Sequence, residues 1–338
     1  MFVGKVPLGG GAPVSVQTML NDDPHDAAAL IAHFNRCQEA GADIVRVTIP
    51  DIEAAKTLAE VKKHISVPVV SDIHFDYRCA LAAIEAGTDA LRLNPGNIGG
   101  RANVQAVARA AKAKGIPIRI GVNKGSLEKG ETLVSSALKH VKLLEDEDFR
   151  DIVISVKASN VIETLAAYRE LSEKTDCALH LGLTEAGTFT RGTVHSSVAL
   201  GILLAEALGD TIRVSLTDLP EKEVKIGLEI LRSLGLRAPG PSITSCPTCG
   251  RTKVNLFKVA DEVEAELEKL AKETRRTLPH VAVMGCVVNG PGEAKGAKVA
   301  LCGGKGEFLL YLDGEPKGKY SEAEASAAVI KAVKEIIA

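Results

Sequence analysis

The sequence predicts an α/β protein in which an N-terminal (β/α)8 TIM barrel is followed by a smaller α+β domain. Three observations carry that expectation. From Val14 to about Ser233, short β-branched runs alternate with alanine-rich amphipathic stretches, and the alternation occurs eight times. The segment Gly235-Leu236-Arg237-Ala238-Pro239-Gly240-Pro241 then breaks it with the composition of a short, stiff connector. A chain of 338 residues also has length for a second core, since one domain commonly spans about 100–150 residues.

Taken in order, the expected strands are Val14 to Met19, Asp43 to Thr48, Pro68 to Ile73, Ala90 to Leu93, Ile116 to Val122, Asp151 to Val156, Ala178 to Leu183 and Thr211 to Leu216. Between them the 3.6-residue period places helices such as Asp26 to Ala40, Tyr77 to Ala86, Val104 to Lys114 and Ser159 to Glu173, several ended by Gly or Gly-Ala. Each unit spans about 25 to 35 residues, the size of a strand with its returning helix. Eight such units without irregular insertions favour a closed barrel over an open sheet. The barrel domain is expected over 1–236 and the smaller domain over 237–338. The latter reads as a charged helix from Val259 to Thr274, a strand from Val281 to Met284, a hairpin from Val299 to Leu312 and a closing helix from Glu322 onward.

Composition narrows the class. With 46% apolar and 25% charged residues and a net charge of -2, the chain resembles neither a nucleic-acid binder nor a disordered one. No segment offers the roughly 18 uninterrupted apolar residues of a membrane helix, and the start lacks a signal-peptide pattern, so a cytoplasmic location is expected. Seven cysteines without a secretory signal leave metal binding, catalysis or burial as their roles.

In a barrel of this kind the strands' C-terminal ends build the active site. Here those ends carry Arg46, Arg92 and Asn94, Arg119 and Asn123, Lys157, and Arg213 and Ser215. Converging buried cations repel one another and lose hydration, so such a set is stable only around an anion of comparable charge, and a diphosphate meets that demand. Arginine supplies paired planar donors for phosphate oxygens, and asparagine and serine add neutral donors. Any one of these arginines taken alone is open to a surface role; four separate strand ends make that reading poor for the set. After the seventh strand, His180-Leu181-Gly182-Leu183-Thr184-Glu185-Ala186-Gly187 offers Glu185 as a proton donor or base, provided burial raises its pKa. Its bland alternative is a structural partner for a mouth arginine. Asp72 and His74 of the third strand are open to substrate orientation, proton relay or plain structure.

The second domain carries Cys246-Pro247-Thr248-Cys249, two thiols three residues apart, and later Gly285-Cys286-Val287-Val288-Asn289-Gly290-Pro291-Gly292-Glu293, a third thiol beside a turn. Two thiols at that spacing ahead of a helix suit one metal centre. Zinc and an iron–sulfur cluster both want a fourth ligand, for which Glu293 and Cys302 are the candidates. Cys302 lies in an apolar strand where packing is the commoner role. A carboxylate is a weak ligand for iron, and a weak ligand can leave to admit a substrate oxygen. Cys37, Cys79 and Cys177 lie among Ala and Leu and read as core.

These residues resemble, across nearly the whole chain, the bacterial 4-hydroxy-3-methylbut-2-en-1-yl diphosphate synthases. The resemblance rests on Gly10-Gly11-Ala12-Pro13-Val14-Ser15-Val16-Gln17-Thr18-Met19, Asp72-Ile73-His74-Phe75-Asp76-Tyr77-Arg78, Asn94-Pro95-Gly96-Asn97-Ile98-Gly99, Ile120-Gly121-Val122-Asn123, Val156-Lys157-Ala158-Ser159 and Thr184-Glu185-Ala186-Gly187, together with the two cysteine segments. It implies reductive opening and dehydration of 2-C-methyl-D-erythritol 2,4-cyclodiphosphate to 4-hydroxy-3-methylbut-2-enyl diphosphate, a step of non-mevalonate isoprenoid synthesis. It also implies a [4Fe-4S] cluster on Cys246, Cys249, Cys286 and Glu293. Diphosphate binding falls on Arg46, Arg92, Arg119 and Lys157 with Asn94, Asn123 and Ser215. Glu185 falls on the barrel acid and Asn289 on an asparagine that faces substrate near the cluster. The family works as a homodimer with ferredoxin or flavodoxin as electron donor, and this chain resembles its compact, two-domain form. In Thr217-Asp218-Leu219-Pro220 the family pattern puts the aspartate directly before the proline, which leaves Asp218 without an assigned role.

Two other readings share the cationic mouth. One is a zinc-stabilised phosphate-handling barrel, an aldolase or pterin-type transferase, whose cysteines only brace the tail domain. The other is a non-catalytic binding module, which has no use for Glu185 beside a cation cluster.

Overall fold

The structure is a computed structural model that describes residues 1–338 apart from Pro239, Arg275, Val288 and Asn289 and apart from the side chains of Ser126, Pro291 and Glu293. The chain forms two units, Met1–Arg237 and Ala238–Ala338.

The first unit opens with a hairpin of β1 (Phe2–Val3) and β2 (Val6–Pro7). Eight parallel strands follow: β3 (Ser15–Met19), β4 (Ile44–Thr48), β5 (Val69–Asp72), β6 (Ala90–Leu93), β7 (Ile118–Asn123), β8 (Ile152–Lys157), β9 (Ala178–Leu181) and β10 (Thr211–Ile212). They close into the expected barrel, the last joining the first through Thr211 against Ser15 and Ile212 against Val16. Val3 and Leu8 pack with Ile44, Val70, Ala90, Val153 and Ala178, all near strand starts, so the hairpin plugs the barrel's base. Two-residue strands are too short to show periodicity, which is why the sequence reading has no such hairpin.

The strands are nearly continuous apolar runs because both faces are buried, and the helices cover the outer one. These are α1 (Ala27–Ala40), α2 (Ile52–Val61), α3 (Tyr77–Glu85), α4 (Arg101–Lys114), α5 (Leu133–Glu145), α6 (Val161–Ser172), α7 (Phe189–Ala205) and α8 (Pro220–Ser233). Their starts are chemically specified: the side chains of Asp26, Asp51, Asp76 and Asn160 accept first-turn backbone N–H groups of α1, α2, α3 and α6. Each such cap contributes about 1 kcal/mol. The ladder of β10 ends earlier than expected. Beyond it, the Leu216 N–H donates to the Glu223 carboxylate of α8 at 3.0 Å instead of continuing the sheet.

The second unit is a five-stranded sheet of β11 (Ile243–Ser245), β12 (Val281–Met284), β13 (Val299–Gly303), β14 (Glu307–Leu312) and β15 (Glu315–Ser321), in that order. The first three strands are parallel and the last two antiparallel. Alternation along β12 splits the faces. Val281 and Val283 join Leu301 and Phe308 beneath α9 (Leu256–Thr274) and α11 (Glu322–Ile337), while Ala282 and Met284 turn to the opposite face with Ala300 and Cys302. On that face lies the short helix α10 (Gly290–Glu293). Among the described residues no helix is long and apolar enough to cross a membrane.

Candidate active site

The parallel register places polar strand residues side by side, although Arg119 lies near the start of β7 and not at its C-terminal end as expected. Asp72 of β5 pairs in register with Arg92 of β6, and Arg92 with Arg119 of β7. Asn123 pairs with Lys157 and Gly121 with Ser155 across β7 and β8. At this mouth a cavity of about 130 Å³ is lined by Arg46, Arg92, Arg119, Asn123, Lys157 and Arg213 among others, with Ser155, His180, Thr184 and Ser215 as neutral groups.

Two glycines make room for the long side chains. A Cβ on Gly121 would stand 2.4 Å from Nε of Arg92, and one on Gly182 would stand 2.8 Å from Nζ of Lys157. At Gly121 a side chain would fit only if the cation moved, and at Gly182 the Arg213 backbone carbonyl, 2.7 Å from the same position, bars it as well. Arg92 also donates through Nη2 to the Gly121 carbonyl at 3.2 Å.

Electrostatics then decides what the cavity holds. The fully buried Asp72 carboxylate accepts from Arg46 Nη2 at 2.6 Å and from Arg92 Nη1 at 3.2 Å. Burial alone would raise its pKa; the facing guanidinium groups of Arg46 and Arg92 outweigh it and bring the carboxyl down to about 2. Arg213 lies 3.5 Å from the buried Glu223 carboxylate. Arg119 donates to the side chain of Gln17, a neutral partner. Burial pushes the Lys157 ammonium well below its usual range, with Arg213, Arg119, Arg46 and Arg92 adding to the shift. Arg119 is lowered for the same reasons, burial first. Buried Nη2 of Arg119, Nε of Arg46 and both ring nitrogens of His180 have no hydrogen-bond partner. Five cations with two carboxylates and several orphan donors leave an excess of buried positive charge that a multiply charged oxyanion would offset.

Of the residues singled out in the sequence, Arg46, Arg92, Arg119, Asn123, Lys157 and Ser215 line this cavity. Asn94 does not. It is buried, and its Oδ1 accepts the Gly96 N–H at 3.1 Å, closing its own turn. Glu185 is exposed, with a left-handed φ of 55°, so the burial expected of it is not provided within this unit. Asp218 bonds the Leu219 N–H at 2.8 Å and Lys222 at 2.9 Å, an ordinary start to α8. His74 stands exposed, 3.5 Å from Asp72. Gln17, His180 and Glu223 were not singled out. Glu223 lay in a charged helix start that reads as solvated, whereas its carboxylate also accepts from Thr18 Oγ1 at 2.9 Å inside the barrel. Only the polar residues inside otherwise apolar strands, Gln17 and His180, carried a signal.

In the second unit, Cys246 follows β11, Cys249 is exposed and Cys286 follows β12. The Gly285 N–H points at Sγ of Cys246 at 3.2 Å, a donor of the kind that tunes cluster thiolates. Thr248, between the first two thiols, adopts φ 67°. Among the described residues, the three thiols do not all lie within 4.8 Å of one another. Cys246 and Cys286 follow the neighbouring parallel strands β11 and β12, a thiol set of the kind that holds a metal or iron–sulfur centre. Cys302 is fully buried opposite Met284 in the register, and a Cβ on Gly290 would come within 3.0 Å of its sulfur, so packing occupies it. Asn289 and the side chain of Glu293 lie outside the described residues.

The chain was compared with known proteins. Residues 1–228 match the GcpE TIM-barrel domain and residues 242–335 the GcpE protein C-terminal domain. A relative from Clostridium acetobutylicum, 4-hydroxy-3-methylbut-2-en-1-yl diphosphate synthase (flavodoxin), is 53% identical over 330 residues, covering 95% of this chain and 93% of its own. One of the same name from Symbiobacterium thermophilum is 51% identical, covering 98% and 91%. Among solved structures, a Clostridium difficile dihydropteroate synthase aligns with TM-score 0.50 at 14% identity, over 69% of this chain and 97% of its own. That likeness shows the barrel fold alone.

Proposed function

The chain belongs to the GcpE family, and from that membership we propose the chemistry that its two units divide between them. The activity is that of an oxidoreductase: 2-C-methyl-D-erythritol 2,4-cyclodiphosphate takes up two electrons as its ring carbon–oxygen bond to phosphate breaks, and the neighbouring hydroxyl takes a proton and leaves as water while a carbon–carbon double bond forms, giving 4-hydroxy-3-methylbut-2-enyl diphosphate. The alternative of a zinc-braced aldolase or pterin-type transferase is not favoured, since relatives near 50% identity over nearly the whole chain carry the reductase name.

The observation that supports this reading is the excess of buried cations at the barrel mouth. Arg46, Arg92, Arg119, Lys157 and Arg213 face a cavity whose only paired carboxylates are Asp72 and Glu223 among the described residues. We assign the two phosphates of the substrate to this cradle, with Asn123 and Ser215 fixing their orientation. Asp72 holds Arg46 and Arg92 at fixed angles before substrate arrives, so little reorganisation is needed on binding. His180, whose pKa burial holds well below its usual value, stays neutral and can donate one N–H without adding charge.

A [4Fe-4S] cluster held by Cys246, Cys249, Cys286 and Glu293 would supply the electrons and activate the carbon–oxygen bond. Around it, the Gly285 N–H stabilises charge on the Cys246 sulfur. Glu185, in a backbone conformation that costs a non-glycine residue on the order of 1–3 kcal/mol, is assigned the proton delivered to the departing oxygen. The electron donor is assigned as reduced flavodoxin, the working form as a homodimer and the compartment as the cytoplasm. The deciding experiment is anaerobic: iron and acid-labile sulfide are measured on the reconstituted chain, then the cyclic diphosphate is supplied with reduced flavodoxin. Stoichiometric cluster with product formation supports the reading; zinc without iron, or a loaded cluster that leaves the substrate untouched, overturns it.

A further inference from the structure

Outside the cation cavity, the seam between α1 and α8 contains a group of side chains that the proposed chemistry does not use. His33 and Cys37 are one helical turn apart on the inner face of α1 and are both buried, His33 being 2% and Cys37 0% exposed. Glu221, in the first turn of α8, comes against them. One ligand atom from each of the three, His33 nitrogen, Cys37 sulfur and Glu221 oxygen, lies within 4.8 Å of the others. Among the described residues no other group of three His, Cys, Asp or Glu does this.

Two of those atoms lack partners. Nε2 of His33 and Oε2 of Glu221 are both buried and make no hydrogen bond, although they face each other at 3.4 Å. Nδ1 of His33 is engaged by the Asp22 carboxylate, which leaves Nε2 as the ring nitrogen that faces Glu221. Two buried polar atoms that face each other without a hydrogen bond leave room for a shared partner, and a cation satisfies both. The spacing suits one. Bonds of about 2.1 Å meeting at a tetrahedral centre put their donor atoms about 3.4 Å apart. The outer groups also have the form found around metals: a carboxylate holds the far nitrogen of the histidine, and Arg36 Nε binds the other Glu221 oxygen at 2.8 Å.

We propose that His33 Nε2, Cys37 Sγ and Glu221 Oε2 form a zinc site with an open fourth position for water, oriented by Asp22. Imidazole with a thiolate and one carboxylate at tetrahedral spacing favours zinc over magnesium, calcium or manganese. The side chains of Asp22 and Glu221 are 22% and 20% exposed and supply the way in. Because α1 follows the first barrel strand and α8 the last, the ion would staple the two ends of the barrel together. The assignment is independent of the iron–sulfur reading, since none of these residues belongs to the cysteine set of the second unit.

The test uses the full chain with its cluster loaded, exposed to zinc and then passed through a desalting column. The wild type is expected to retain one more equivalent of zinc than Cys37→Ala or His33→Gln, at equal iron content, and to gain several degrees in Tm from zinc that both variants lack. Far-ultraviolet circular dichroism shows which variants are folded. Should either fail to fold, competition of the cluster-loaded wild type with a chromophoric chelator decides alone: no zinc retained at full iron content overturns the proposal. Equal zinc in wild type and folded variants overturns it as well.

Discussion

The Asp72 carboxylate of β5 lies 2.6 Å from Nη2 of Arg46 on β4, so a fully buried anion is paired with a cation that lines the barrel-mouth cavity. It neutralises part of the charge when no ligand is present and leaves enough unpaired to bind one. That balance makes Asp72 a positioning residue for the phosphate cradle.

Replacing Asp72 with Asn keeps the shape and removes the charge. Breaking a buried pair costs about 3–5 kcal/mol, so the ligand-free variant is expected to melt well below wild type. Inorganic diphosphate should then raise the Tm of Asp72→Asn more than that of wild type, because the added anion replaces the lost one. An equal rise in both would show that Asp72 and the phosphates do not share their cations.

The same carboxyl fixes an acid limit. Its folded pKa of about 2 lies below the ordinary 3.8, so its contribution, on the order of 2 kcal/mol, is present above about pH 4 and is lost as pH falls toward 2. In Asp72→Asn that component of acid unfolding should be absent. Circular dichroism melts between pH 2 and pH 5 measure the difference, and parallel curves for the two proteins would contradict the assignment.

Lys157 predicts the opposite dependence for binding. Burial and four neighbouring arginines hold its ammonium well below its usual range, and a phosphate favours the protonated form. Binding above the free-state pKa therefore takes up a proton, and affinity for diphosphate falls by up to about tenfold per pH unit there. Titration calorimetry in buffers of different ionisation enthalpy reads the uptake directly. Lys157→Gln should abolish it.

Gly121 tests the geometry. Its φ is not left-handed, so alanine brings no backbone strain, but the new methyl would stand 2.4 Å from Nε of Arg92. The movable partner is a side chain, so Gly121→Ala should fold normally, displace Arg92 and raise KM tenfold or more with a smaller effect on kcat. An unchanged KM would mean that Arg92 does not grip substrate from this position.

How much of this was legible in the sequence follows from where the information sits. The barrel was readable because eight repeats of one period are a strong local signal; Lys157 ends its strand and Arg92 stands one residue from the end of its own, whereas Arg46 and Arg119 lie inside β4 and β7 and were readable only as charges within apolar strands. Asp72 was visible as a residue but not as the counter-ion of two arginines, since that role depends on register between strands. Glu223 was hidden because a glutamate in a helix's first turn is ordinarily a solvated charge; only the fold turns it back toward Arg213 and the Leu216 N–H. Cys37 read as core and is buried, yet the neighbours that give it a further use come from Glu221, remote in sequence.

The cysteines separate by burial, and substitution should separate them by function. Burial pushes the Cys302 thiol up to about 11, with Cys286 and Cys246 adding to the shift, and its sulfur packs against α10 and Met284. A thiol so placed is a space-filling group. Cys302→Ala is expected to keep full iron and acid-labile sulfide, losing about 1 kcal/mol of stability for the small cavity it leaves. Cys286→Ser should lose both iron and turnover, and Glu185→Gln should keep the iron and lose the rate. If Cys302→Ala were the variant that lost iron while Cys286→Ser kept it, the cluster would have to be built on the buried face of the sheet.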